Sequence, residues 1–208
     1  MGGLGVPTVV HVWPDGVDQA LAELRSARAR TVRARTVIRI ATAETAIRHA
    51  ARAQIRVAVC NTLGAWLDRP AASIRLRAQP GQALTLDGPA KGISLSLSHA
   101  EGMSVAALQA GGRVGIDVMR VLPEALPDWA AVARDYLGPQ ACAQLAMVAP
   151  AQQAWAFAQA WTRWEAGLKC LGLPLTEWTP GLAQQLARCR VTPLALPAPY
   201  CGALATRP

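Results

Sequence analysis

Two acidic residues occur at positions where their carboxylates could bind a metal ion. Asp117 lies inside the otherwise apolar segment 114–119. A carboxylate buried without a partner is costly, so we expect Asp117 to be paired, hydrogen-bonded or bound to a cation. Glu165 belongs to a predicted helix in which a spacing of four places Trp161, Glu165 and Lys169 on one face. On spacing alone, an ordinary Glu165–Lys169 pair worth about 0.2–0.5 kcal/mol explains this second group better than a metal site does.

A histidine at the end of an alternating segment is the third candidate. In segment 93–99, aliphatic residues alternate with serines, which predicts a strand with the aliphatic side chains inward and the serines on the other face. Ser98 and His99 end this segment. A lone histidine at a strand end is more often structural than catalytic, although a protonated imidazole could contact a phosphate group.

The charge of the chain suggests an anionic partner. The formal net charge of +8 comes almost wholly from arginine, since Lys91 and Lys169 are the only lysines. Arg48, Arg52 and Arg56 recur every four residues, along one face of a predicted helix. We expect no nucleic acid partner, because the arginines are dispersed and no nucleic-acid-binding motif accompanies them. A phosphorylated small molecule or an acidic protein surface fits the charge, and a GC-rich genome would also explain the arginine content.

The cysteine content and the hydropathy indicate the cellular compartment. The five cysteines form no CxxC pair, which favours a reducing compartment, and they show no zinc-finger spacing. No run of 18 apolar residues occurs, and no signal-peptide pattern opens the sequence. We therefore expect a cytoplasmic protein that does not interact with a membrane.

The elements that must position these residues are helices and strands in separate groups. Periodicity and breaker residues predict strands near 8–13, 73–77, 93–99, 104–109 and 113–119, and helices near 42–67, 128–136, 139–148 and 151–171. One or two short strands are expected in 186–206. The three consecutive strands between 93 and 119 predict one antiparallel sheet. This order indicates an α+β fold of two similar halves, 1–105 and 106–208, each with a long helix packed on a small antiparallel sheet.

Three of these segments, taken together, resemble the successive signatures of the 4'-phosphopantetheinyl transferase superfamily. The segments are Ser94-Leu95-Ser96-Leu97-Ser98-His99, then Val114-Gly115-Ile116-Asp117-Val118, then Trp161 through Glu165 and Ala166 to Lys169 and Gly172. Each segment alone is weak evidence, but three in order, with about 15 and 45 residues between them, are far more specific. The resemblance runs from His11 to about Trp178. The chain length resembles that of the surfactin-type subfamily, which implies a monomeric pseudo-dimer of two α+β halves.

The resemblance implies an enzyme and a reaction. Such an enzyme transfers the 4'-phosphopantetheine group of coenzyme A to a serine of an apo acyl or peptidyl carrier protein. Asp117 and Glu165 would bind Mg²⁺, which takes oxygen ligands from carboxylates, waters and phosphates. Glu165 would act as the base for the carrier serine, directly or through a water, and Asp117 and Lys169 would complete the catalytic group.

The resemblance also implies which side chains contact coenzyme A. Lys169 and His99 would hold its pyrophosphate, with Ser98 nearby. Arg52 and Arg56 match helical positions that face the 3'-phosphate region of the nucleotide. These assignments would give the arginine excess a partner in the cosubstrate.

Four positions depart from the pattern of the superfamily. Met119 stands where many members carry a further acidic residue, Trp164 where a lysine precedes the glutamate, and Gln82 where a lysine follows a glycine. The segment 136–141 lacks a glutamate that some members have. These departures leave a second hypothesis open, which is a divergent, catalytically inactive module that binds a carrier protein. The joint presence of both carboxylates with the lysine and the histidine favours the enzyme, because a decayed site should lose the metal pair early.

Overall fold

The computed structural model of the chain describes residues 8–29, 35–41, 48–77, 84–90, 92–122 and 127–207. Its helices are α1 (Val17–Ala29), α2 (Arg48–Leu67), α3 (Trp129–Val132), α4 (Pro139–Ala146), α5 (Pro150–Leu171) and α6 (Pro180–Leu186). Its strands are β1 (His11–Val12), β2 (Arg35–Ala41), β3 (Arg75–Arg77), β4 (Thr85–Asp87), β5 (Ile93–Ala100), β6 (Met103–Ala110), β7 (Arg113–Arg120), β8 (Arg190–Pro193) and β9 (Tyr200–Arg207). The combination of helices with small antiparallel sheets confirms the predicted α+β class.

The N-terminal sheet is covered on one face by the long helix α2. Its strand order is β1-β2-β6-β5, and β6 pairs antiparallel with both β2 and β5. Apolar residues recur at helical spacing along α2 and form a core with β5 and β6. This core includes Ile55, Ala58, Val59, Leu63 and Trp66 of α2 with Leu95, Ala106 and Leu108 of the sheet. Burial of one such aliphatic side chain stabilises the fold by about 1.5–3 kcal/mol.

The C-terminal sheet is covered in the same way by α5. Its strand order is β7-β9-β8, and all its pairs are antiparallel. Ala166 and Cys170 of α5 pack against Ala203 and Ala205 of β9. Because these side chains are small, the backbone of α5 lies close to the strands.

Local sequence determines both ends of α5. Pro150 is the first helical residue, a position where its missing N–H leaves no hydrogen bond unmade. At the other end, Gly172 has a left-handed φ of 74°, and the N–H of Leu173 donates to the carbonyl of Leu168 at 2.9 Å. This Schellman arrangement satisfies a carbonyl that the helix itself leaves unpaired. The helix predicted at 151–171 is therefore confirmed, with Gly172 ending it.

The two sheets pack against each other, with β7 lying across β5 and β6. Ala106 and Leu108 point towards α2, whereas Val105 and Ala107 alternate with them and contact the core between the sheets. On the other side of that core lie Val114, Ile116, Val118 and Leu204. The described part of the chain thus forms four layers in the order α2, N-terminal sheet, C-terminal sheet, α5.

The prediction that β7 continues the sheet of β5 and β6 is wrong. β7 pairs with β9, and its apolar face lies across β6 in the neighbouring layer. The chain passes between the layers at Gly111 and Gly112, where Gly111 adopts a φ of 63°. Alternation in the sequence specifies which side chains share a face, but it does not specify which element covers that face.

The remaining boundaries agree with prediction in part. The helix predicted at 42–67 is confirmed for Arg48–Leu67, and 42–47 lie outside the described residues. The strand expected at 73–77 is present as β3, and the two tail strands are β8 and β9. β2, β4 and α6 were not predicted, although Thr179 caps α6 by accepting the N–H of Leu182 at 3.1 Å. Among the described residues, no helix is long and apolar enough to cross a membrane.

Candidate active site

Strand β7 presents Gly115 and Asp117 to helix α5. Its other face, formed by Val114, Ile116 and Val118, is buried against β6, so alternation directs the two remaining residues towards α5. Asp117 is buried, with 8% of its side chain exposed. The sequence predicted that this carboxylate would be paired, hydrogen-bonded or bound to a cation, and the structure shows it both paired with Lys169 and hydrogen-bonded to Ser98.

Gly115 allows α5 to lie directly on β7. A Cβ added at this position would overlap the carbonyl oxygen of Ala166 and the backbone nitrogen of Cys170, and it would lie 3.0 Å from the Cα of Cys170. These are backbone atoms, so no change of rotamer could relieve the overlap. The missing side chain therefore determines how close the helix comes to the strand, and with it the positions of Glu165 and Lys169.

Four side chains meet beside this contact, and we call them the Asp117 cluster: Asp117, Glu165, Lys169 and Ser98. Lys169 Nζ donates to Asp117 Oδ1 at 2.7 Å and lies 3.7 Å from Glu165 Oε2. Ser98 Oγ donates to the same Asp117 oxygen at 2.7 Å and accepts from Lys169 Nζ at 3.2 Å. Elements β5, β7 and α5 thus each contribute to one group, and both carboxylates lie within reach of a single cation.

The predicted pair between Glu165 and Lys169 is present, but it is not the shorter contact of the lysine. Lys169 lies closer to Asp117, which is 52 positions away along the chain. Burial raises the pKa of Glu165, and the nearby carboxylate of Asp117 raises it further, while Lys169 lowers it in part. One ammonium faces two carboxylates, so the cluster carries an excess negative charge that a further cation would neutralise.

Two serines of β5 accept hydrogen bonds from backbone N–H groups on the edge of β7 that pairs with no other strand. Ser96 Oγ accepts the N–H of Ile116 at 3.1 Å, and Ser98 Oγ accepts the N–H of Val118 at 3.3 Å. Both serines are buried. The serine face of β5 is therefore covered by β7, which the sequence did not indicate. Serines at alternate positions of an otherwise apolar strand were the signal that could have suggested hydrogen bonds to a second strand.

Ser98→Ala should impair the site more than Ser96→Ala does, and this is a first prediction. Each change leaves one N–H of β7 unsatisfied and should lower the free energy of unfolding by about 1–3 kcal/mol. Only Ser98→Ala also removes the hydroxyl that orients Asp117 and contacts Lys169. We expect about a tenfold or larger loss in divalent-metal affinity for Ser98→Ala alone, as is usual when a residue that hydrogen-bonds a metal ligand is removed. Calorimetric titration with Mg²⁺, paired with urea unfolding, separates the two effects, and equal metal affinities in both variants would contradict the prediction.

The other predicted cosubstrate contacts lie apart from the Asp117 cluster. His99 Nδ1 is 2.9 Å from Ser104 Oγ. Because His99 follows Ser98, it points to the opposite face of β5, the one that α2 covers. Arg52 and Arg56 are exposed on α2. The structure therefore brings together Asp117, Glu165, Lys169 and Ser98, but not His99, Arg52 or Arg56 with them.

The structure locates two of the residues that depart from the pattern of the superfamily. Met119 and Trp164 pack against the apolar cluster of Phe157 and Leu137. Trp164 also borders a cavity of about 460 Å³ between α4 and α5. The indole is thus part of the C-terminal core and not of the Asp117 cluster. Gln82 lies outside the described residues.

The described part of the chain supplies few metal ligands at this site. Among the residues that the structure describes, no group of three or more His, Cys, Asp or Glu side chains could hold a metal ion. Asp117 and Glu165 are therefore two carboxylates to which other molecules would have to add the remaining ligands.

One family model matches the part of the chain that contains the C-terminal sheet. Residues 113–206 match the family model of the 4'-phosphopantetheinyl transferase superfamily. The matched range begins at the first residue of β7 and ends within β9, so it includes Asp117, Glu165 and Lys169 and leaves Ser98 outside. The search of curated proteins found no match to the chain.

Proposed function

We propose that this chain is a 4'-phosphopantetheinyl transferase of the holo-acyl-carrier-protein synthase type. It would use Mg²⁺ to transfer the phosphopantetheine group of coenzyme A to a serine of an apo acyl or peptidyl carrier protein. One observation carries the proposal. Within a domain that matches this superfamily, Asp117 of β7 and Glu165 of α5 converge on a single ammonium group.

The residues of the cluster fit a hard divalent cation. Asp117 and Glu165 supply carboxylate oxygens, the ligand type that Mg²⁺ prefers, and burial, followed by the negative charge of Asp117, raises the pKa of Glu165. With only two carboxylates available, the pyrophosphate of coenzyme A and waters would supply the other ligands. When bound, the ion would neutralise charge on that pyrophosphate and orient it.

The side chains of the chain itself have separate tasks in this reaction. Lys169 would contact the pyrophosphate, because its stem is flexible and its side chain is 29% exposed. Glu165 would accept the proton of the carrier serine, directly or through a water. The new bond joins the serine oxygen to the phosphorus of phosphopantetheine, and the bond to adenosine 3',5'-bisphosphate breaks. Positioning and charge neutralisation, without a covalent enzyme intermediate, account for the rate.

More remote residues would bind the rest of coenzyme A. We assign Arg52 and Arg56 to the 3'-phosphate region, and His99 to the pyrophosphate together with Lys169, with Ser98 nearby. The exposure of both arginines on α2 supports access to an anionic ligand. The net charge of +8 also suits the acidic surface of a carrier protein. The five unpaired cysteines accord with a cytoplasmic location.

We also propose that the fold is a monomeric pseudo-dimer of two halves. Apart from β1, which adds to the edge of the N-terminal sheet, both sheets have three strands in which the first lies beside the third and the third beside the second: β2-β6-β5 in one, β7-β9-β8 in the other. In both, a long helix lies between the first and second of these strands in the sequence, α2 and α5 respectively. The division into 1–105 and 106–208 stays a prediction, and the turn at Gly111, where the chain changes sheets, lies just beyond it.

Transfer can be measured directly by the mass of the carrier protein. We expect incubation with coenzyme A, Mg²⁺ and an apo carrier to add one phosphopantetheine group to the carrier. Omission of Mg²⁺, with a chelator present, is the control and should leave the mass unchanged. No gain with several acyl and peptidyl carriers would contradict the proposal and favour the alternative, an inactive module that binds a carrier protein. A pull-down of the same apo carriers would then test that alternative.

A further inference from the structure

We infer that Lys169 competes with a divalent cation for Asp117 and Glu165, so that metal binding is weak until an anionic ligand draws the lysine away. This inference rests on the proposed function and adds a form of regulation to it. Coenzyme A, through its pyrophosphate, is the ligand that would release the lysine. Metal and cosubstrate would then bind cooperatively.

The contacts of Lys169 carry the argument. Its Nζ is 2.7 Å from Asp117 Oδ1 and 3.7 Å from Glu165 Oε2, which are the two carboxylates assigned to the metal. Among the described residues, no other lysine or arginine forms an ion pair with either carboxylate. Within the described part of the chain, the lysine is thus the counter-ion of both carboxylates.

An ammonium group and a divalent ion cannot share this position without strong repulsion. Mg²⁺ must approach its carboxylate oxygens to about 2.0–2.1 Å, closer than the hydrogen bond that Lys169 now makes. The side chains of the cluster are mostly buried, with exposures of 8%, 24% and 29% for Asp117, Glu165 and Lys169, so solvent screens this repulsion only in part. Binding of the metal therefore requires that the lysine move.

Lys169 can move because only its terminal group is held. Ser98 Oγ at 3.2 Å is a neutral partner on the side of β5, and the four-carbon stem allows Nζ to turn towards incoming phosphates. A pyrophosphate would become the new anionic partner of the ammonium group, in place of the two carboxylates that the lysine leaves. Linkage then requires reciprocity: if coenzyme A increases the affinity for Mg²⁺, Mg²⁺ increases the affinity for coenzyme A by the same factor.

Titration of the metal alone tests this without any transfer reaction. In the absence of coenzyme A, Lys169→Met should bind Mg²⁺ about tenfold or more tightly than the parent protein, measured by calorimetry. Adding coenzyme A should increase Mg²⁺ affinity in the parent and much less in the variant. Lys169→Gln is a second variant of similar length, should the first fold poorly.

Arg163→Met is the matched control. It removes the same charge from the same helix, but Arg163 is exposed and lines the cavity beside Trp164 and Gly167, away from the Asp117 cluster. Its Mg²⁺ affinity should equal that of the parent. A gain in Lys169→Met that the control lacks, and that Asp117→Ala removes, supports the inference.

Two results would overturn the inference. Equal Mg²⁺ affinity in the parent and in both Lys169 variants would show that the lysine does not compete. Absence of Mg²⁺ binding in all of them would do the same. In either case the carrier-mass assay remains independent, because phosphopantetheine transfer by the parent protein would preserve the proposed function while this inference fails.

Discussion

Replacing Asp117 with alanine should abolish magnesium-dependent transfer, with a loss in kcat/KM of about a thousandfold or more. Asp117 is the more buried of the two carboxylates in its cluster and contacts both Lys169 and Ser98, so its loss would leave Glu165 as the one carboxylate of the cluster. The fold should survive, because Lys169 is partly exposed and can regain water and its contact with Glu165. Carrier mass after timed incubation measures the transfer, and circular dichroism measures the fold.

The isosteric variant Asp117→Asn sharpens this test. It retains the volume and one acceptor oxygen for Ser98 but lacks the negative charge. If charge on Asp117 is what binds the metal, Asn should be as inactive as Ala while folding at least as well. Full activity in either variant would remove Asp117 from the metal site.

Gly115→Ala should destabilise the protein by about 3 kcal/mol and separate the halves of the site. The new Cβ would overlap backbone atoms at Ala166 and Cys170, and α5 could only relieve this by moving away from β7. Such movement would carry Glu165 and Lys169 away from Asp117. We therefore expect Mg²⁺ affinity to fall in the fraction of protein that remains folded. Urea unfolding measures the stability, and metal titration below the unfolding transition measures the site.

Gly181→Ala provides the matched control for this glycine. Gly181 lies in α6, and a Cβ added there meets nothing within 4 Å. Alanine at this position should leave stability unchanged or raise it by less than about 1 kcal/mol. A Gly115→Ala protein as stable as this control would show that the helix is not held at its distance by the missing side chain.

The candidate site could be predicted from the sequence as separate pieces. A carboxylate in an apolar strand indicated that Asp117 needed a partner, and a spacing of four indicated that Glu165 and Lys169 would meet. Neither the apolar strand pattern nor the helical spacing predicts how close β7 lies to α5. The contact of Lys169 with Asp117 joins residues far apart in the chain, and it depends on the close packing that Gly115 permits.

The fold was predictable to a similar degree. Alternation located β5, β6 and β7 nearly to the residue, because each has a consistent buried face. The same alternation could not show that β7 belongs to a second sheet, since Ile116 and Val118 would be buried in either arrangement. Short elements such as β4 escaped prediction because three residues carry too little periodicity.

The serine hydroxyls between β5 and β7 also bear on solubility. A strand with unpaired N–H groups along one side is a template on which strands of other chains can assemble. In β7, the N–H groups of Ile116 and Val118 are already occupied by Ser96 and Ser98. The strand that carries Asp117 is thereby closed to aggregation along that edge, although it forms no backbone ladder there.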